Sequence, residues 1–143
     1  MIDPAAHFAG ERPMLQRDHA SAALGMVVHR DEPGEAIVSM PVRLDMTNGF
    51  GLTHGGLVFA LADTAFAMVC NDGDAVTVAS GADISFLKAT RAGQTLTAHA
   101  RRRSASGRTG LCDVTVTDEA GDVVAEFRGR SFTTNRPHVS PGS

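Results

Sequence analysis

An α+β fold is predicted by the order of elements along the chain. One long apolar helix occupies the middle, strand-like alternation precedes it, and a meander of long strands follows it. An antiparallel sheet with one buried helix packed against it satisfies that order.

The elements read as follows. Met14 to Leu24 carries a weak helical pattern that stops at Gly25. Ala36, Val38, Met40 and Val42 then alternate with Glu35, Ile37, Ser39 and Pro41, a half-buried strand in which Pro41 hints at a sheet edge. The turn-forming loop DMTNGFGLT leads into the apolar helix, which ends near NDGD, residues 71–74. Val76 to Leu87 is one long strand. Gln94 to Arg103 places Leu96, Ala98 and Ala100 on one face, and SASGR joins it to Thr109–Thr117. DEAGD joins that strand to Val123–Phe132. The outer positions of the later strands are polar, so one sheet face is left to solvent or to another subunit. Residues 1–13 and 136–143 read as flexible ends around one domain, 14–135.

The chain has 143 residues, 43% hydrophobic and 20% charged, with a net charge of −3. This suits a single soluble domain and argues against a dedicated nucleic-acid binder, which is usually basic. The apolar stretch is too short and too interrupted to span a bilayer, and MIDPAAHFAGERPM lacks the features of a signal peptide. Cys70 and Cys112 show no metal or redox spacing, and the six His residues are scattered singly. A reduced, cytoplasmic protein without a metal is expected. No GxSxG elbow or P-loop is present, and GFGLTHG departs from a dinucleotide fingerprint in spacing and context.

Asp63 is the feature that calls for a function. Between Leu57 and Cys70 only Asp63 and Thr64 are not apolar, and from His54 onward no Lys or Arg occurs before Lys88. An ionised carboxylate among Leu, Phe and Ala costs several kcal/mol unless it is paired. Most lone helical Asp residues are structural or lie at the surface, but these neighbours favour a site. At the head of the same helix stands His54-Gly55-Gly56, with Thr53 as a candidate N-cap. Two glycines allow close approach to unpaired helix-start amides, which suit a developing oxyanion. A plain Gly-rich turn with a surface His explains the tripeptide equally well. His54 and Asp63 are nine positions apart, hence roughly 180° and about 13 Å apart on one helix. If both serve one site, they come from different subunits whose central helices run antiparallel.

NGFGLTHGG followed by LVFALADTAFAMVCN resembles the hotdog-fold acyl-CoA thioesterases, most closely their phenylacetate-degradation group. The likeness extends to DHASAALGM, VASGADISFL and FRGRSF, and the combination N-x5-HGG with an Asp nine residues past the His is specific. The resemblance implies a long helix wrapped by a curved sheet, with dimers joined at sheet edges and commonly paired into tetramers. It implies hydrolysis of acyl-CoA to free acid and coenzyme A with no separate cofactor. Carried over by position, Asp63 attacks the thioester or activates a water, and the Gly55 amide polarises the carbonyl. His54 and Asn48 orient the thioester or water, and Thr64 supports the carboxylate. Lys88, Arg91, Arg103 and Arg108 lie after strands, where relatives hold CoA phosphates. For RRR, residues 101–103, solvated strand positions are the favoured reading, and no aromatics interleave with it to suggest nucleic acid. Phe59, Phe66 and Met68 either line the acyl pocket or fill the core, and an aryl-acetyl substrate is the family-level expectation. A non-catalytic acyl-CoA sensor and an enoyl-CoA hydratase are the competing readings. Against the first stand Asp63 and the lack of room for a helix-turn-helix; the second usually places its His and Asp early in the helix.

Overall fold

In the computed structural model, which describes residues 12–138, two short helices come first: α1, Pro13–Gln16, and α2, His19–Ala23. The sequence pattern suggested one helix from Met14 to Leu24. It breaks because Asp18 caps α2, accepting the Ser21 backbone N–H at 3.0 Å. Asp competes with helical bonding in a helix interior and satisfies an orphan amide at a start. Strands β1, Val27–Glu32, and β2, Glu35–Pro41, form a hairpin whose turn uses Gly34 at φ 78°, a left-handed conformation that favours glycine. A 3-10 turn, Leu44–Met46, precedes α3, Gly55–Cys70. Strands β3, Ala75–Phe86, β4, Thr95–Ser106, β5, Thr109–Thr117, and β6, Val123–Pro137, follow.

All six strands form one antiparallel sheet in the order β1-β2-β4-β5-β6-β3. Pro41 does not mark an edge: β2 lies between β1 and β4, and Pro41 is its last residue, opposite Thr95. The edges are β1 and the twelve-residue β3. Pro13 already belongs to α1, and β6 reaches Pro137, so the expected flexible ends are ordered at their inner margins. The rest of those ends, 1–11 and 139–143, lies outside the described residues.

The sheet wraps α3. Alternate side chains of β2 (Ala36, Val38, Met40), β4 (Leu96, Ala98, Ala100) and β5 (Cys112, Val114, Val116) are buried against Val58, Leu61, Ala62, Ala65, Phe66 and Val69. This wrapping explains why α3 is apolar over most of its circumference. Phe66 and Met68 are core residues, each 1% exposed. Of the three candidate acyl-pocket residues only Phe59 is half-exposed, edge-on to Phe127 with ring centroids 5.3 Å apart. No helix among the described residues is long and apolar enough to cross a membrane.

Candidate active site

Helix α3 begins one residue later than its sequence suggested. His54, not Thr53, is the N-cap: its Nδ1 accepts the Gly56 backbone N–H at 3.1 Å. Thr53 is buried and used elsewhere. Its N–H donates to the Thr90 carbonyl at 2.8 Å, and its hydroxyl meets that of Thr90 at 2.7 Å. The His54 N–H donates to the Met46 carbonyl, so both flanking segments anchor the helix start.

The first-turn amides can be accounted for one by one. His54 takes the Gly56 amide with its ring, and its carbonyl accepts from Leu57 and Val58. The Gly55 N–H has no acceptor among the described residues. It lies where helix-terminal dipoles reinforce one another, a setting that suits an anion or a carbonyl oxygen. A Cβ built on Gly55 would stand 3.2 Å from Cζ of Phe86, a side chain at the end of β3 in a residue 54% exposed. The Phe86 ring therefore stands against the Cα of Gly55.

Asp63 is half-buried, and no side chain among the described residues hydrogen-bonds its carboxylate. Burial pushes its pKa up, and the nearby charge of Asp18 pushes it in the same direction. Thr64 does not support the Asp63 carboxylate as expected. Its hydroxyl lies 2.9 Å from that of Ser21, on α2. Asn48 uses its side-chain oxygen to close the loop before α3, accepting the N–H groups of Phe50 at 2.9 Å and Leu52 at 3.2 Å. Its amide nitrogen is left to donate.

The cationic candidates divide into two groups. Lys88 and Arg91 flank Thr90, whose bonds to Thr53 place them at the helix start. Lys88 is not free: its Nζ lies 2.6 Å from Asp118 and 2.7 Å from Asp122. That hydrogen bond holds Asp118 below the usual carboxylate range, and the same partner raises the Lys88 pKa. The Arg91 guanidinium has no hydrogen-bonding or ionic partner among the described residues. Arg103 and Arg108 belong to the β4–β5 hairpin, at the other end of α3. Arg103 Nε is 3.4 Å from Asp113, which Arg128 already grips at 2.7 and 2.9 Å. Arg108 donates to the Thr133 carbonyl and Asn135. Arg101 and Arg102 pair with Glu35 and Asp72, so the RRR run is a set of strand ion pairs.

Gly55 opens α3 and Asp63 follows eight residues later, so the two groups lie on well-separated turns. Cavities of about 790 and 330 Å³ both lie at the C-terminal end of α3, and neither is lined by Asp63, His54 or Gly55. Between those cavities and the helix start, α3 presents a less buried stripe of Gly56, Ala60, Asp63 and Ala67, spaced three or four residues apart. Sequence reasoning did not identify Asp18 and Ser21, which the fold brings to the Asp63 turn. The D-x-x-S spacing of a helix cap was the available signal.

Comparison with known proteins places this arrangement. The thioesterase superfamily matches residues 50–125, a span that holds the helix start and Asp63. The chain is 42% identical over 118 residues to the acyl-coenzyme A thioesterase PaaI of Escherichia coli, covering 82% of this chain and 84% of that one. Its fold is similar to the structure of the E. coli PaaI protein from the phenylacetic acid degradation operon, with a TM-score of 0.86 and 38% identity over 94% and 96% of the two chains. A Streptococcus mutans protein solved with acetyl CoA matches with a TM-score of 0.75 and 28% identity, covering 79% of this chain and 91% of that one. The six-stranded antiparallel sheet around one helix is the hotdog fold. The chain belongs to the thioesterase superfamily.

Proposed function

We propose that this protein hydrolyses acyl-CoA thioesters, with aryl-acetyl-CoA as the preferred class, to a free acid and coenzyme A. The observation that carries the reading is the combination of a helix-start amide at Gly55 and a half-buried carboxylate at Asp63, both without a hydrogen-bond partner among the described residues. The Gly55 N–H donates to the thioester oxygen and stabilises the negative charge that develops there. Asp63 either attacks the carbonyl carbon, giving an anhydride that water then opens, or removes a proton from an attacking water. The CoA thiolate leaves in both cases. Asn48 donates through its side-chain nitrogen to orient the thioester or water, and His54 shapes the helix start by holding the Gly56 amide.

Two subunits supply each site, Asp63 from one and His54-Gly55 from the other, and dimers pair into tetramers. The less buried stripe through Asp63 and the edge of β3, unpaired among the described residues, support this assembly. Arg91 is the cation best placed for the CoA phosphates near the helix start, with Arg103 and Arg108 reaching them only across the assembly. The two free cysteines fit a reducing, cytoplasmic setting.

Release of free thiol from a panel of acyl-CoAs tests the reading. Turnover with an aryl-acetyl-CoA supports it. Binding of acyl-CoA without thiol release would make the protein a sensor, and loss of an enoyl chromophore without thiol release would make it a hydratase.

A further inference from the structure

A chain of hydrogen bonds leads from the helix turn that carries Asp63 to a second carboxylate. Asp18 accepts from the Ser21 backbone N–H at 3.0 Å and from the Ser21 hydroxyl at 2.8 Å. The Ser21 hydroxyl has one proton, and Asp18 receives it. At the 2.9 Å contact between Ser21 and Thr64, Thr64 is therefore the donor. Ser21 is 3% exposed, so water does not compete for this tie. The hydroxyl of a helical Thr often bonds back to its own helix; here it is spent on holding α2 against α3.

We propose that Asp18 is a positioning residue of the thioesterase site, docked by Ser21 and Thr64 so that its carboxylate stands in the field of Asp63. This rests on the assignment of Asp63 as the catalytic carboxylate. A negative charge on Asp18 opposes the ionisation of the half-buried Asp63, so Asp18 makes Asp63 a stronger base than burial alone would. Among the described residues Asp18 is the charge that acts on Asp63. The core side chains of β2, β4 and β5 around α3 are apolar apart from the Cys112 thiol. Burial pushes that thiol up to about 12 and the Cys70 thiol up to about 11, so both are neutral at physiological pH. The two cations that reach the helix, Arg102 on β4 and Arg12, are spent at its last turn. Arg102 bonds the Val69 carbonyl and Asp72, and Arg12 bonds the Met68 and Asn71 carbonyls and Asp31. Arg17 and His19 flank Asp18 and are exposed.

The test is the pH profile of kcat/KM for Asp18→Asn. Asn caps a helix about as well as Asp, so α2 and its tie to α3 persist while the charge is lost. The acid limb, where activity falls as Asp63 takes up a proton, moves to lower pH, and KM for the acyl-CoA stays as in wild type. Asp18→Glu restores the charge and returns the limb toward its wild-type position. Ser21→Ala cuts the tie but keeps the charge; it lowers kcat and moves the limb in the same direction as Asp18→Asn. An acid limb that stays in place, or moves to higher pH, in folded Asp18→Asn overturns the proposal. Failure of the underlying assignment has a different signature: Asp63→Asn remains active.

Discussion

Gly129 on β6 faces the ring of Phe66 on α3 so closely that a Cβ built on it would stand 2.6 Å from Phe66 Cε1. Phe66 is 1% exposed and packs on Phe127 with ring centroids 5.7 Å apart, so the ring has nowhere to move. The missing side chain lets the central helix sit deep in the sheet, and that depth sets where Asp63, three residues before Phe66, emerges.

The first prediction follows from this contact. Gly129→Ala overpacks the core and costs about 1–3 kcal/mol of stability. Chemical denaturation of wild type and variant checks it. An unchanged unfolding midpoint would mean that the helix slides freely against β6.

Asp63→Asn separates catalysis from folding. Asn is nearly isosteric but can neither attack nor accept a proton, so turnover falls by at least about tenfold, or about 1.4 kcal/mol of barrier. A smaller loss sinks the catalytic role. The same variant changes stability in the opposite sense. The folded-state pKa of Asp63 is raised, so its favourable contribution is present at low pH and is lost as pH rises through the folded value. Above that value the ionised carboxylate opposes folding. Asp63→Asn therefore melts higher than wild type at neutral pH, and the gain shrinks as pH falls.

The half-buried setting of Asp63 was legible from sequence because its signal is local: a carboxylate with apolar neighbours and no nearby cation. The alternation of Leu96, Ala98 and Ala100 was legible for the same reason, and all three are buried. What sequence did not reveal was partnership across the fold. Lys88 reads as an available cation until β3 and the β5–β6 turn bring it to Asp118, thirty residues on, whose side chain is 1% exposed. Thr53 is the better N-cap by residue type, but the fold spends it on Thr90 and leaves the cap to His54. Asp18 looked like one polar residue within a weak helix, and only the docking of α2 on Thr64 gives it a neighbour in Asp63.

Those partnerships divide the cationic residues. Arg91→Ala raises KM for CoA thioesters severalfold, and the effect weakens as salt screens the phosphates. KM for short pantetheine thioesters, which lack the nucleotide end, does not change. Lys88→Ala leaves KM unchanged and destabilises the fold, because Asp118 loses the ammonium that holds its pKa down. A lowered carboxylate pKa stabilises above the unfolded value and is lost as pH falls, so Lys88→Ala is relatively worse at neutral pH than at acid pH. Equal effects of Arg91→Ala on both thioester classes would mean that Arg91 does not read the nucleotide end.

The last prediction concerns the shared site. Asp63→Ala removes the carboxylate, and Gly55→Pro removes the proposed oxyanion donor. The structure favours the second substitution: Gly55 is the first residue of α3, its N–H has no acceptor among the described residues, and His54 has φ −62° and ψ 128°, an extended conformation that suits a residue before proline. The Phe86 ring tip, 3.2 Å from the built Cβ, belongs to an exposed residue and can swing aside. Each variant alone is folded and inactive. In a mixed dimer one site takes Asp63 from the Pro variant and Gly55 from the Ala variant, while the other site carries both defects. Refolding the two together therefore restores part of the activity that neither has alone. A verified heterodimer as inactive as its parents, while wild type refolds normally, excludes the shared site. Gly55 and Asp63 would then have to act from one helix, and their separation along it leaves no room for that.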